Sequence, residues 1–184
     1  MEQFRLNLTE EDKRYLKDLA LLSITGWLTG RTPAAIPQPP SELLKTELGA
    51  FVTLKRQEQL RGCIGNVTGH GPLYQTIWNM AQAAAFQDPR FRPLEQAELK
   101  GLELEISVLG PVEPCPDPTK IEVGRHGLIM CRGARQGLLL PQVPVEWGWD
   151  REQFLAQTCR KAGLPASAWR DPDTTIYWFE AVVF

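Results

Sequence analysis

Apolar residues recur at three- and four-residue steps at Tyr15, Leu16, Leu19, Leu22 and Leu28, a spacing that predicts one buried helical face. Thr9 before Glu10, Glu11 and Asp12 supplies a capping hydroxyl and an acidic first turn, and Gly30 supplies a stop. Four prolines within Thr32–Pro40 predict an extended loop, and Ser41 can cap a short helical turn. Ala50–Lys55 and Leu60–Val67 read as two strands joined by a polar turn at Arg56–Gln59. The second strand carries Gly62 and Gly65. Glycine weakens a strand interior and marks a bulge or a close backbone approach. A helix follows from Pro72, with Leu73, Ile77, Met80, Ala81 and Ala84 as its stripe, ending near Phe86.

Beyond a stiff Asp88–Pro93 loop and a short helix over Pro93–Lys100, Leu102–Leu109 alternates strictly. Leu102, Leu104, Ile106 and Val108 take one face, and Glu103, Glu105 and Ser107 the other. Pro111–Pro118 interrupts the pattern, and Gly127–Arg132 with Gly137–Leu140 predicts a second hairpin. Pro141–Pro144 reads as a loop leading to Trp147 and Trp149. Asp150 then opens a helix with Gln153 completing a capping box, and Lys161 and Gly163 close it. Thr174–Phe184 reads as a final strand. Hairpins with interspersed helices give an α+β class with a mainly antiparallel sheet and flanking helices.

Composition narrows the function classes. A chain of 184 residues fits one domain, or two small lobes sharing a core, and buries roughly 70% of its unfolded surface. The net charge of −2 argues against a main role in gripping nucleic acid, which favours a basic excess. The four cysteines, Cys63, Cys115, Cys131 and Cys159, show no C-x-x-C spacing, and only His70 and His126 accompany them. No zinc pattern or disulfide framework follows, and reduced thiols are expected. Neither a G-x-G-x-x-G nor a G-x-x-x-x-G-K-[ST] cradle is present, so no cofactor is implied. The polar Met1–Leu8 start and the shortness of every apolar run point to a soluble, cytoplasmic protein without a membrane segment.

The segment Leu60-Arg-Gly-Cys-Ile-Gly65 is the first place to look for chemistry. Arg61 and Cys63 are two apart on a strand and can share a face, so a cation can stand beside a thiol. Gly62 and Gly65 remove side-chain bulk and can let a ligand reach backbone N–H groups. Three roles for Cys63 stay open: catalytic nucleophile, lining of a ligand site, or core packing as a small hydrophobe. Asp88 before Pro89 can cap a turn, pair with Arg90, or act as a positioned carboxylate. Glu105 and Ser107 put an acid and a hydroxyl on one strand face. Gln142 can present its amide from a rigid loop, His126 suits a turn or capping role, and Trp147 with Trp149 suits a partner-binding surface.

These blocks in this order resemble the AMMECR-type domain family, whose prokaryotic members are called protein A of the AmmeMemoRadiSam system. The resemblance is carried by Leu60-Arg-Gly-Cys-Ile-Gly65, Ala83–Phe91, Leu104–Leu109, His126–Ile129, Gly137–Val143 and Lys161–Leu164. Asn66 departs from the Thr or Ser more usual in the family at that position. The resemblance implies two unequal lobes, with both termini in the larger and the signature lining a cleft between them. It also implies partners: a Memo-like protein and a radical S-adenosylmethionine protein. Arg61, Cys63, Asp88, Arg90, Glu105, Ser107 and Gln142 fall in family motif positions. The resemblance supplies no reaction. A thiol-dependent enzyme component and a binding or adaptor module remain the two leading classes, and single-stranded nucleic-acid binding near Arg125, Arg132 and Arg135 is a third.

Overall fold

Thr9 caps the first helix, α1 (Glu10–Thr29): its hydroxyl accepts the Asp12 N–H at 3.1 Å, and the Asp12 carboxylate accepts the Thr9 N–H at 3.0 Å. This reciprocal box satisfies two of the helix's orphan donors. The computed structural model describes residues 6–184. Within them the chain packs as two units, Leu6–Leu109 with Val182–Phe184, and Gly110–Ala181. The first is the larger.

In the larger unit, strands β1 (Gly49–Arg56), β2 (Gln59–Asn66) and β3 (Leu102–Leu109) form an antiparallel sheet with β1 in the middle. Phe184 extends it by exchanging backbone hydrogen bonds with Ile106 at 2.8 and 3.1 Å. Alternation sorts the two faces. Ala50, Val52 and Leu54 are fully buried beside Ile106 and Val108, under helix α2 (Leu73–Phe86) and the Leu16, Ala20 and Ile24 stripe of α1. Fully removing an aliphatic side chain of this size from water contributes roughly 1.5–3 kcal/mol. Phe51, Thr53 and Lys55 take the opposite face.

The β1–β2 hairpin turns on Gln57 and Glu58, both with left-handed backbone (φ 52° and 62°). Two consecutive positive φ values suit the twist of a two-residue hairpin, but Asn and Gly reach that region more readily. The turn is thus tighter than the four-residue one the sequence predicts. The Pro93–Lys100 segment also shortens, to a single 3-10 turn at Gln96–Glu98.

The smaller unit has its own antiparallel sheet, built from β4 (Glu113–Pro114), β5 (His126–Arg132), β6 (Arg135–Leu139) and β7 (Thr175–Val183), whose last residues belong to the larger unit. Leu128, Met130 and Ile176 pack against Phe154, Leu155 and Cys159 of a helix with the Asp150–Gln153 capping box. One expectation fails: Pro141–Pro144 is not all loop, because Gln142–Glu146 forms a short helix, α3. Pro144 sits in its first turn, where no backbone N–H is needed. The capped helix, Arg151–Lys161, is therefore α4. Among the described residues, no helix is long and apolar enough to cross a membrane.

Candidate functional site

Cys63 lies in β2, the edge strand of the larger unit's sheet. Its N–H and C=O face away from β1, where an edge leaves both without a ladder partner. The Asp88–Phe91 loop supplies them. Asp88 Oδ2 accepts the Cys63 N–H at 2.9 Å, and Arg90 Nη2 donates to the Cys63 carbonyl at 3.2 Å. Asp88 and Arg90 are themselves joined by two side-chain hydrogen bonds, of 3.0 and 2.7 Å, and Asp88 also accepts the Arg90 N–H at 3.1 Å. Two side chains thereby do for one residue what an adjacent strand would do. The Asp88 side chain is 1% exposed. The Arg90 guanidinium bonded to it, with the two backbone N–H donors, holds its carboxyl well below the usual range despite burial. A carboxylate so engaged is a structural anion rather than a free base.

The Cys63 thiol is partly exposed and points to the face of β1 that carries Thr53, directly opposite it. Thr53 Oγ1 donates to Cys63 Sγ at 3.2 Å. On β3, Glu105 lies opposite Thr53 in turn and binds Lys55 Nζ at 2.8 Å. The sheet register therefore lines up a thiol, a hydroxyl and a carboxylate across three strands. Ser107 shares this face further along, opposite Phe51, and is buried.

Arg61 goes elsewhere. The β1–β2 register slips between Leu54 and Lys55, so that Leu54 faces Gly62 while Lys55 faces Leu60. Arg61 is the extra residue of this bulge, and a bulge re-aims a side chain. Its guanidinium forks onto Glu98, with Nε to Oε1 at 2.9 Å and Nη2 to Oε2 at 3.0 Å. The side chains of the pair are 12% and 7% exposed. That pairing, helped by the Glu95 N–H, lowers the Glu98 carboxyl to about 2. The cation hydrogen-bonded at Cys63 is thus Arg90, not the Arg61 that same-face spacing suggests.

Packing accounts for both glycines of the segment. A Cβ on Gly62 would sit 2.1 Å from the Ala84 carbonyl oxygen of α2, and one on Gly65 would sit 2.3 Å from that of Ala50. The space beside each is filled by the chain's own backbone, which explains the glycines without a ligand. Gln142, Trp147 and Trp149 belong to the smaller unit. Gln142 Oε1 is buried without a hydrogen-bond partner. Trp147 is 70% exposed and stacks on Trp149 at 6.0 Å between ring centroids. Among the described residues, no cluster of three or more His, Cys, Asp or Glu side chains is placed to hold a metal ion.

Sequence reasoning missed Thr53, Lys55 and Glu98. Thr53 and Lys55 alternate with Val52 and Leu54 on β1, so their face was readable, but their partners depend on strand register. Glu98 had no local signal.

The AMMECR1 family model matches residues 18–184. The chain belongs to the AMMECR1 family. A protein from Thermococcus gammatolerans is 47% identical to this AMMECR1 domain over 188 residues, covering 96% of this chain and 91% of that protein. Protein PH0010 from Pyrococcus horikoshii is 46% identical over 188 residues, with the same coverage of 96% and 91%. The crystal structure titled as that of uncharacterized protein PH0010 matches with a TM-score of 0.84 and 43% identity, covering 96% of this chain and 92% of that one. An AMMECR1 domain with an antiparallel α+β fold is thus the identity of the chain.

Proposed function

We propose that this AMMECR1 domain is a component of a small-molecule or protein-modification system, with Leu60–Gly65 as its site and Cys63 as its nucleophile. The observation that carries the reading is the fixed setting of a partly exposed thiol. The Cys63 backbone is held by Asp88 and Arg90, and its sulfur takes a hydroxyl donor from Thr53. A nucleophile works best when its atom is already aimed, because the orientational cost of reaction is then met by the fold. Glu105, paired with Lys55, gives the same face a polar group for a bound substrate, while Ser107 on that face is buried behind it.

The other three thiols provide internal standards. Burial pushes Cys115, Cys131 and Cys159 above the ordinary thiol pKa, which withholds the reactive thiolate. Alkylation of the folded protein with iodoacetamide, followed by peptide mass spectrometry from pH 6 to 9, is the test. Cys63 is expected to label first at every pH. Labelling of Cys63 no faster than Cys131 abandons catalysis through this thiol.

A second reading is favoured by Trp147. This residue, with Val145 at 59% exposure beside it in the chain, leaves large apolar surface open, as interfaces do. On this reading the domain is a non-catalytic adaptor, and a Memo-like protein or a radical S-adenosylmethionine protein is the partner to try. Co-purification with such a partner, lost in the Trp147→Ala/Trp149→Ala variant, supports it, and binding retained by that variant rejects this surface.

A further inference from the structure

His126 opens β5 in a conformation fixed by a reciprocal clasp. Its backbone N–H donates to the Glu122 carbonyl at 3.1 Å, and the Glu122 N–H donates to His126 Nδ1 at 3.0 Å. With Nδ1 accepting, the proton of the neutral ring is on Nε2. Burial and the nearby Arg125 both push His126 below the ordinary histidine pKa, so the neutral form prevails at pH 7. The residue is 3% exposed, yet Nε2 makes no hydrogen bond within the described residues. A donor that makes no bond within the chain is open to an acceptor that a ligand brings.

His126 borders open space. His126 and Trp178 line both a narrow pocket beside Glu113 and Glu180 and a groove of about 430 Å³. The groove's volume is within the range of roughly 300–1,000 Å³ typical of small-molecule sites. The Trp178 ring lies 4.6 Å from the imidazole, centroid to centroid, and forms a flat apolar wall. Lys120, Arg125 and Arg151 line the groove against a single carboxylate, Glu122. Arg125 is engaged by Glu122 at 2.9 Å and Glu180 at 2.8 Å. Arg151 donates to a neutral acceptor, the Thr119 carbonyl, at 2.6 Å. Asp117 partly offsets Lys120 and Arg151, but its carboxylate is already bonded to the N–H and hydroxyl of Thr119 at 2.9 and 2.7 Å.

We propose that this groove is a binding site for a small carboxylate with a flat apolar body. One carboxylate oxygen accepts His126 Nε2–H, Lys120 and Arg151 offset the charge, and the body lies on Trp178. The site is independent of Cys63, lies wholly within the smaller unit, and stands whichever way the thiol experiment falls.

Benzoate is the probe, with benzamide as its neutral counterpart, and the readout is the Trp178 indole N–H signal in a ¹⁵N–¹H correlation spectrum, assigned through Trp178→Phe. A saturable shift with a Kd of about 1 mM or tighter is expected. Benzamide should bind about tenfold more weakly, as should benzoate to Lys120→Ala/Arg151→Ala, since each change removes the attraction between the carboxylate and two exposed cations. Both substituted residues are at the surface, so this variant should keep its fold where His126→Phe, which strands the Glu122 N–H, can fail. No saturable shift by about 10 mM, a benzamide affinity equal to that of benzoate, or an unchanged affinity in the double variant each overturns the proposal.

Discussion

The Asp88 carboxylate accepts the backbone N–H of Cys63 at 2.9 Å from a side chain that is only 1% exposed. Removing it leaves three donors unmet, at Cys63 N, Arg90 N and the Arg90 guanidinium. Asp88→Ala should therefore destabilise the domain by about 1–3 kcal/mol, the usual cost of leaving a buried donor such as the Cys63 N–H unmet, since the Arg90 side chain is 54% exposed and can turn to water. Asp88→Asn keeps an acceptor for Cys63 and should lose less. Urea unfolding measures the total, and hydrogen exchange at the Cys63 amide should report faster opening in Asp88→Ala alone. Unchanged exchange there would mean that the loop does not hold the edge strand.

Acid should unfold the larger unit through two carboxyls. Asp88 and Glu98 both have folded pKa values below their ordinary 3.8 and 4.5, through hydrogen bonds with Arg90 and Arg61 respectively. A depressed carboxyl contributes stability that is complete above its unfolded pKa and is lost as pH falls toward the folded one. For Glu98 the window runs from about 4.5 down to about 2. Unfolding free energy measured from pH 6 to 2 should fall through this window, and Glu98→Gln should flatten part of the fall while lowering stability at pH 6.

His126 has the opposite chemistry but the same sign of slope. Its folded pKa is below 6.5, so the unfolded chain takes up the proton first. Its contribution is complete above about pH 6.5 and declines as pH falls below that value. Stability compared at pH 8 and pH 5.5 should drop in the native protein and drop less in His126→Gln. Equal drops would assign the slope to other groups.

These residues mark where the sequence was legible. Helix caps were, because Thr9 and Asp150 satisfy N–H groups only three positions away. Alternation in Leu102–Leu109 fixed which residues turn to the core, since a strand's faces depend only on period. What could not be read was lateral. The partner of Cys63 across the sheet is Thr53 only because the bulge at Arg61 shifts the register, and one residue of slip changes every pairing beyond it. The same bulge sends Arg61 to Glu98, which lies 37 positions away. Gly62 and Gly65 were recognised as close approaches, but whether ligand or backbone does the approaching depends on where α2 docks beside Gly62 and how β1 lies beside Gly65.

That docking gives a steric prediction. Gly62→Ala would place a methyl 2.1 Å from the Ala84 carbonyl oxygen, and a helix backbone cannot yield as a side-chain tip does. Overpacking of this kind costs about 1–3 kcal/mol, occasionally more, and the upper end is expected here. Denaturation midpoints of Gly62→Ala against the native protein provide the check, and a neutral result would show that α2 shifts freely.

The hairpin beside this site is improvable. Glu58 adopts φ 62°, a region that costs a non-glycine residue roughly 1–2 kcal/mol. Glu58→Gly should remove that strain and match the preference of the second turn position. Added chain entropy in the unfolded state offsets part of the gain, so a net stabilisation of about 0.5–1 kcal/mol is expected in urea unfolding. A loss instead would show that the Glu58 side chain holds the turn by other means.

Thr53 separates an aimed thiol from a merely exposed one. Thr53→Val preserves the branched shape opposite Cys63 but deletes the hydroxyl that donates to Sγ at 3.2 Å. If that hydrogen bond supports the reacting sulfur, its loss should slow Cys63 alkylation about fivefold, the equivalent of roughly 1 kcal/mol. The rates at Cys115, Cys131 and Cys159 should stay unchanged in the same sample. Alkylation of Cys63 at the native rate would leave exposure as the source of its reactivity, and Thr53 would then be a packing residue on the β1 face. Slowing at all four cysteines would report a change in global opening, which urea unfolding of the variant would reveal as a lowered midpoint.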